Sequence, residues 1–313
     1  MARLVFLGTP EAAVMPMRTL VEHGHELVLV VSRPDRRRGR GGGMVPSPVK
    51  RAALDLGLEV TDSLDDVPGA GAELGVVVAY GRIIPVSVLD RLPMVNLHFS
   101  MLPRWRGAAP VERAILEGDA ETGVCLMAVE AGLDTGAIYA ELATMIGEEE
   151  TADELRSRLV AMGCQLLAEH LADGIRGLPV PRDQMGEPSY AEKIAPAELE
   201  LRWEQPGIQI RRVVRLGRAW TTFRGRRLHI VRAAGAPAAP GGTPAPLGGT
   251  PAPLGGTPAD AGVTPGTLDG LDVIAGHGTR VRLVTVQPEG KRPMDAADWR
   301  RGVHPRPGEH LGT

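Results

Sequence analysis

The sequence predicts an α/β domain built on a parallel sheet, followed by a small β-barrel domain. Short, continuously apolar runs alternate with helical patterns in the first half, which is typical of strands buried on both faces by helices. After Gly177 the chain becomes rich in Pro and Gly, and from about Gly207 it changes to short β-like runs rich in Arg. Short strands with glycine turns predict a small barrel. A chain of 313 residues is long enough for two cores.

The apolar runs of the first half are the expected strands of the parallel sheet. They span residues 3–7, 27–31, 74–79 and 94–97. Helical patterns lie between them, up to about Glu22 and over residues 49–56 and 85–91. A β-rich pair at 122–129 and 137–144 then brackets residues 132–136, and a helix is expected over 152–173. Its apolar positions recur at the helical spacing of 3.6 residues, namely Leu155, Leu159, Met162, Leu166 and Leu167.

The second domain contains four candidate strands and one low-complexity insert. The strands are expected at residues 219–223, 227–231, 272–274 and 280–286. The insert repeats Thr-Pro-Ala-Pro-Leu-Gly-Gly at 243–249 and again at 250–256. So simple a unit cannot bury an apolar face, which predicts a flexible insert over residues 235–266. We expect domain boundaries at 1–187 and 207–313, joined by a linker over 188–206.

Composition narrows the class of protein. A hydrophobic share of 43% and a charged share of 23% are ordinary for a soluble globular protein. No run of about 18 apolar residues is present, and the N-terminal apolar stretch is too short for a signal peptide. The two cysteines, Cys125 and Cys164, give neither a disulfide framework nor a metal-binding spacing. We therefore expect a cytoplasmic protein with no membrane partner.

The net charge of −3 hides a strong asymmetry along the chain. Residues 33–51 carry seven Arg or Lys against one acid, and residues 205–313 carry fifteen against seven. The stretch between them, 52–204, carries eleven against twenty-seven. Two basic regions around an acidic body favour a polyanionic partner, although either region alone could be a set of solvated surface charges.

Asn96 and His98 are the first candidate catalytic residues. Strand side chains alternate with a period of two, so both point to one face at the end of the strand over 94–97. Ligands of open α/β sheets bind at the carboxyl ends of the strands. An amide, an imidazole and a carboxylate that converge there could polarise a carbonyl group and move protons. Taken alone the pattern is weak, since a single histidine near a strand end is more often packed or exposed than catalytic.

Three longer strings give the pattern a specific meaning. Residues 96–110 read NLHFSMLPRWRGAAP, residues 132–136 read GLDTG, and residues 76–85 read VVVAYGRIIP. In their order along the chain, and at these separations, the three strings closely resemble the signatures of the folate-dependent transformylases. They have the form found in the branch that formylates methionyl-tRNA. The basic segments 33–41 and 47–50 resemble an insertion specific to that branch. The segments 190–194, 217–223 and 287–294 resemble its C-terminal tail.

The resemblance implies a Rossmann-like catalytic domain and a C-terminal domain of the OB type that binds tRNA. It implies transfer of a formyl group from 10-formyltetrahydrofolate to the methionine amine of initiator methionyl-tRNA. Asn96 and a protonated His98 would donate to the developing oxyanion, and Asp134 would hold the histidine and take the amine proton. The folate-binding residues implied by it are Ala79, Tyr80, Gly81, Ile83, Ser100, Met101, Leu102, Pro103, Val129, Gly132 and Leu133. The tRNA-binding residues implied by it are Lys50 and the loop arginines, Arg36, Arg37, Arg38 and Arg40.

No metal is required for this chemistry, and we expect no nicotinamide cofactor. The first turn reads Gly8-Thr9-Pro10-Glu11, which lacks the second and third glycines of a dinucleotide fingerprint. The sequence departs from the family pattern at Phe99 and Met101, and it lacks the usual proline near Trp220. We expect a monomer.

Two alternative functions stay open. One is a transformylase acting on an amino sugar or a nucleotide, and the basic loop and second domain count against it. The other is a non-catalytic RNA-binding protein on a transformylase scaffold, and the intact set of Asn96, His98 and Asp134 counts against that.

Overall fold

The computed structural model describes residues 1–37, 42–236 and 263–312. The chain forms two compact units. The N-terminal unit comprises Met1–Ala114, Asp119–Ile146 and Glu154–Lys193, and the C-terminal unit comprises Ile115–Gly118, Gly147–Asp153 and Ile194–Thr313. The domain boundaries expected at 187 and 206 stay a prediction. Within the described segments, no helix combines the length and the apolar character needed to cross a membrane.

The regular elements of residues 1–193 are mostly those that the sequence predicts. The strands are β1 (Arg3–Gly8), β2 (Glu26–Val31), β3 (Arg36–Arg37), β4 (Met44–Val45), β5 (Val60–Thr61), β6 (Leu74–Val78), β7 (Met94–His98), β8 (Arg106–Gly107), β9 (Glu121–Ala128), β10 (Ile138–Met145) and β11 (Tyr190–Ala191). The helices are α1 (Val14–Glu22), α2 (Pro48–Asp55), α3 (Val86–Leu89), α4 (Pro110–Glu117) and α5 (Ala152–His170).

The main sheet has seven strands in the order β10-β9-β7-β6-β1-β2-β5. Strand β1 pairs in parallel with β2 and β6, β6 with β7, and β2 with β5. The predicted parallel sheet is therefore confirmed. Strand β9 runs antiparallel to β7, and β10 runs antiparallel to β9. The β-rich pair of the sequence thus extends the parallel sheet with an antiparallel edge next to β7.

Burial explains why the sequence reveals these strands. The four central residues of β1, Leu4 to Leu7, are all fully buried, as expected for a strand covered on both faces. The apolar stripe of α5 is likewise buried at Leu155, Leu159 and Leu167. Ser47 is the N-cap residue of helix α2, and its side chain accepts a hydrogen bond from the backbone N–H of Lys50. This capping interaction and the proline that follows Ser47 explain why the helix starts there.

The C-terminal unit is a small antiparallel β domain. Its elements are α6 (Gly207–Arg215), β12 (Trp220–Phe223), β13 (Arg226–Gly235), β14 (Leu268–Asp269), β15 (Asp272–Ile274), β16 (Arg280–Pro288), β17 (Met294–Asp295) and α7 (Ala296–Val303). The strand order is β12-β13-β16-β15-β14, and β17 pairs with β16. All four predicted strands are present. The rings of Phe223 and Trp299 meet edge to face, 5.1 Å apart, in its core.

The sequence prediction is wrong at the start of this unit. Residues from Gly207 onward were expected to form β-like runs, but Gly207–Arg215 is a helix that buries Ile210 and Val214. These two residues are four positions apart on one helical face, and the β-branched residues between the arginines suggested a strand instead. Helices α4 and α7 were not predicted either. The two full copies of the seven-residue repeat lie outside the described residues.

Candidate active site

A cavity of about 500 Å³ opens at the ends of β6 and β7 and beside the loop that follows β9. This position matches the carboxyl-terminal edge of the parallel strands, where ligands of such sheets bind. The three candidate catalytic residues, Asn96, His98 and Asp134, all line the cavity. The structure therefore brings together the side chains that the sequence placed in two separate strings.

Asn96 and His98 reach the cavity because β7 runs between two neighbours. Asn96 lies opposite Val77 of β6 and Met127 of β9, and it is half-buried. His98, two residues further along, shares its face of the sheet. The hydrogen-bonded neighbours on both sides fix the backbone of β7, so the two side chains project from a rigid element.

His98 is held in one orientation by a backbone carbonyl group. Its imidazole is 5% exposed, and its Nε2 lies 2.8 Å from the carbonyl oxygen of Trp105. A carbonyl oxygen only accepts hydrogen bonds, so Nε2 carries the proton and donates. The other nitrogen, Nδ1, faces the carboxylate of Asp134 at 3.6 Å. It follows that Nδ1 can donate a hydrogen bond only when His98 is protonated on both nitrogens.

Asp134 has an unusual backbone conformation that aims its carboxylate into the site. Its φ is 50°, in the left-handed region that Asp and Asn tolerate better than most residues. Its Oδ2 accepts a hydrogen bond from the backbone N–H of Gly107 at 2.8 Å. Gly107 has a φ of 120°, and an added Cβ would lie 2.9 Å from the carbonyl oxygen of Ala191. Only glycine therefore allows this N–H to approach the carboxylate.

Trp105 is a site residue whose role the sequence did not reveal. Its φ is 64°, also in the left-handed region, and this conformation turns its carbonyl group toward His98. The indole N–H donates to Asp119 at 2.7 Å, and the backbone N–H donates to the Ser189 hydroxyl at 3.0 Å. The residue lies inside the string at 96–110, but it acts through its backbone, and a motif gives no signal for that.

Seven of the eleven implied folate-binding residues line the cavity. They are Ala79, Tyr80, Gly81, Ile83, Val129, Gly132 and Leu133. The structure does not bring Ser100, Met101, Leu102 and Pro103 into the lining. Ser100 is fully buried and donates to the carbonyl oxygen of Arg104 at 2.6 Å, and Leu102 packs in a small core with Cys125, Met127 and Ile138. These four residues lie in the turn that leads from His98 to Trp105.

The implied tRNA-binding residues are only partly described. Arg36 and Arg37 are exposed and form β3, which pairs with β4 as a short antiparallel ribbon. Arg38 and Arg40 lie outside the described residues. Lys50 lies in α2, and its Nζ donates to Asp35 at 2.8 Å, so part of its charge is already neutralised.

Among the described residues, the cavity is lined by both cationic and anionic side chains. Three cationic side chains, Arg33, Arg82 and Lys193, line it together with the carboxylates of Glu130 and Asp134. Burial raises the pKa of Tyr80. Cys125, on the strand next to His98, is fully buried, and burial raises the pKa of its thiol to about 12. A thiol with this pKa is not a nucleophile at neutral pH.

Comparison with known proteins shows the family of the chain. Residues 2–171 match the formyl transferase family, and residues 193–304 match the formyl transferase C-terminal domain. The chain therefore belongs to the formyl transferase family. Relatives that align with nearly the whole chain include methionyl-tRNA formyltransferases. The one from Roseobacter denitrificans is 41% identical over 96% of this chain and 95% of its own length. The one from Acidothermus cellulolyticus is 41% identical over 98% of both chains.

Solved structures support the fold. An N-formyltransferase from Helicobacter canadensis, determined with folinic acid and dTDP-3-aminofucose, superposes with a TM-score of 0.64 at 17% identity. It covers 92% of this chain and all of its own. The methionyl-tRNA formyltransferase from Clostridium thermocellum superposes with a TM-score of 0.54 at 18% identity, over 75% of this chain and 93% of its own. At these identities the likeness concerns the fold alone.

Proposed function

We propose that the chain transfers the formyl group of 10-formyltetrahydrofolate to the α-amino group of methionine on initiator methionyl-tRNA. The observation that carries the proposal is the convergence of Asn96, His98 and Asp134 on one cavity at the strand ends. Full-length relatives that share about 40% identity and act on methionyl-tRNA support the choice of acceptor.

The cavity suits a reduced folate. Its volume of about 500 Å³ lies in the range of cavities that bind small molecules. Its walls include apolar side chains and the backbone of residues 79–81 and 129–133, which suit a flat pterin ring. Folate also carries a glutamate tail, and the cationic Arg33, Arg82 and Lys193 complement its carboxylates. We assign the seven lining residues named above to folate binding, and we give residues 100–103 the role of shaping the turn behind the cavity.

The proposed reaction needs a neutral amine and a stabilised oxyanion. The amine nitrogen attacks the formyl carbon, and the formyl oxygen gains a negative charge. Asn96 donates to that oxygen from its amide, and His98 donates from Nδ1 as an imidazolium, since its Nε2 already donates to Trp105. The bond between the formyl carbon and N10 of the folate then breaks. Asp134 accepts the amine proton, directly or through a water molecule, and the proton is passed to N10.

We assign recognition of the tRNA to the basic segments. The loop arginines and Lys50 would contact phosphates or exposed bases of the acceptor end, where arginine provides a fixed charge and several donors. The basic C-terminal domain would add further contacts. We propose that the enzyme works as a monomer in the cytoplasm, where its aminoacylated tRNA substrate is made.

One assay tests the function. The protein is incubated with 10-formyltetrahydrofolate and methionyl-tRNA, and N-formylmethionine is measured by mass spectrometry after mild hydrolysis of the ester. Parallel reactions contain an amino-sugar nucleotide or glycinamide ribonucleotide as acceptor. Formylmethionine as the product supports the proposal. Formylation of a sugar or nucleotide amine alone would assign the chain to the other transformylases, and no turnover with any amine would favour a binding protein.

A further inference from the structure

Residues 182–191, here called the strap, contact the loop that carries Asp134 and the segment that follows His98. We propose that Gln184 in the strap is a positioning residue for Asp134, and that the strap holds Asp134 and His98 in register with each other. This inference rests on the proposed function, because it concerns the same reactive pair. The strap lies in the Pro- and Gly-rich chain after Gly177, and no site residue was predicted there.

The side chain of Gln184 has a full set of partners. Its Nε2 donates to the carbonyl oxygens of Asp134 and Gly136, both at 2.8 Å. Its Oε1 accepts from Nε and Nη2 of Arg106 at 3.0 and 2.7 Å. The planar guanidinium group approaches the oxygen with two donors and so fixes which end of the amide points to the Asp134 loop. The amide thus makes four hydrogen bonds, two as donor and two as acceptor, and they connect the Asp134 loop with Arg106 of β8.

The Asp134 loop needs such an external tie. Asp134 is in the left-handed region, and the loop contains glycines at 132 and 136. Gln184 holds the backbone end of Asp134, whereas the N–H of Gly107 holds its carboxylate end. Gly107 is itself tied to the strap, because β8 pairs with β11 through Tyr190 and Ala191. Both ends of Asp134 are therefore positioned by the strap, one directly and one through β8.

The same segment holds His98 by a second route. The Ser189 hydroxyl accepts from the backbone N–H of Trp105, and the Ser189 carbonyl oxygen accepts from the backbone N–H of Arg106 at 2.9 Å. These bonds set the carbonyl group of Trp105 that accepts from Nε2 of His98. Gln184 and Ser189, five residues apart, thus control the two partners of the 3.6 Å contact between Nδ1 and the Asp134 carboxylate.

The test is the isosteric change Gln184→Glu. A carboxylate can still accept from Arg106, but it cannot donate to the carbonyl oxygens of Asp134 and Gly136. We expect kcat for methionyl-tRNA formylation to fall about 10–100-fold, the size of effect that a misplacement of about 1 Å produces. The KM for 10-formyltetrahydrofolate should stay within about twofold of the unchanged protein. Gln184→Ala should lower kcat similarly, which shows that the added charge is not the cause.

Met185→Glu is the matched control. Met185 is 81% exposed, so the variant adds the same charge one residue along the strap while leaving the amide bonds of Gln184 in place. It should keep kcat and KM. A second readout does not depend on activity: in protein labelled with ¹⁵N-glycine, the Gly107 amide should exchange with solvent faster in Gln184→Glu than in Met185→Glu.

The outcomes separate the two proposals. Wild-type kcat in Gln184→Glu, or a lower kcat with unchanged exchange at Gly107, would overturn the positioning role. If the unchanged protein formylates no methionyl-tRNA, the proposed function fails, and the exchange of Gly107 still decides whether the strap positions Asp134.

Discussion

Asp134→Asn removes the negative charge of Asp134 and keeps the structural contacts of its side chain. The substitution keeps the size of the side chain, and Asn tolerates a φ of 50° about as well as Asp does. The Asn oxygen can still accept from the backbone N–H of Gly107, which lies 2.8 Å from the carboxylate in the unchanged protein. The loop should therefore keep its conformation while the negative charge next to His98 is lost.

The size of the effect follows from the distance between the two groups. A carboxylate 3.6 Å from Nδ1 of a protonated imidazole contributes about 4.6 kcal/mol at an effective dielectric constant of about 20. That energy corresponds to a factor of roughly 10³ in rate. The Asp134 side chain is 17% exposed, so solvent screening reduces the value. Loss of a general base alone typically costs about 10²–10⁴-fold. We expect single-turnover formylation to slow by about 10²–10³-fold.

The assay is rapid-quench single turnover with saturating 10-formyltetrahydrofolate at several pH values, together with thermal melting. Asp134→Asn should melt within about 2 °C of the unchanged protein, since its hydrogen bond and backbone conformation persist. Asp134→Ala is the contrasting variant, because it also loses the acceptor for Gly107. A hydrogen bond to a charged group contributes about 1.5–3 kcal/mol, which should lower Tm by several degrees. Retention of more than a tenth of the wild-type rate in Asp134→Asn would refute the role assigned to the charge.

Three further outcomes are expected. The ring of His25 is buried, and its Nδ1 has no hydrogen-bond partner among the residues that the structure describes. Burial, followed by the charges of the N-terminal amine and His23, lowers the pKa of His25 from 6.5. The unfolded chain therefore takes up a proton that the folded protein resists, so the free energy of unfolding should fall as the pH drops below about 6.5. In urea titrations at several pH values, His25→Leu should make the free energy of unfolding less dependent on pH. Changing the loop arginines to Ala should lower kcat/KM for methionyl-tRNA, while KM for 10-formyltetrahydrofolate stays unchanged. The slope of log affinity for tRNA against log salt concentration should become shallower by about 0.7–0.9 per lost phosphate contact. An unchanged slope with unchanged kcat/KM for methionyl-tRNA would leave tRNA recognition to the C-terminal domain. Excision of residues 243–256 should leave activity and Tm close to wild type, because the repeat has no apolar periodicity and closure of a loop costs only about 0.6 kcal/mol per doubling of its length; a drop of many degrees on melting would show that the repeat packs against the domain.

Elements with a continuous apolar run or a clear helical stripe were predictable from the sequence, and elements with a short, mixed pattern were not. Strands β1, β2, β6 and β7 appear as continuous apolar runs because helices cover both sides of the sheet. Helix α6 was assigned incorrectly, since it alternates arginines with β-branched residues and buries only part of one face. A pattern with two buried apolar side chains, Ile210 and Val214, in nine residues does not distinguish a helix from an edge strand.

The convergence of the candidate side chains on one edge of the sheet could be predicted, but the groups that support them could not. Asn96 and His98 follow from the period of two along a strand, and Asp134 came from the resemblance of its loop to a family signature. Trp105 acts through its carbonyl group, which every residue type possesses. Gln184 and Ser189 lie 50 and 84 residues from the groups they hold, in a segment without hydrophobic periodicity. Contacts from polar side chains to a distant backbone leave no regular trace in a sequence.

These supports also constrain the chemistry of His98. If Nε2 were free, a neutral imidazole could donate to the oxyanion through one nitrogen and accept the amine proton through the other. The bond to Trp105 removes that option, because Nε2 donates to that carbonyl oxygen and Nδ1 faces the Asp134 carboxylate. In the mechanism we propose, donation to the oxyanion then requires the imidazolium, and a nearby anion attracts that positive charge. Asp134 is that anion, 3.6 Å away. In this proposed mechanism the carboxylate therefore has two tasks, stabilising the charged histidine and accepting the amine proton, and its second task weakens the first. Proton transfer to Asp134 would leave the imidazolium without its counter-ion at the moment when the oxyanion has formed. The oxyanion itself can take over that role, so the two charges of opposite sign are paired in the intermediate without any movement of the loop.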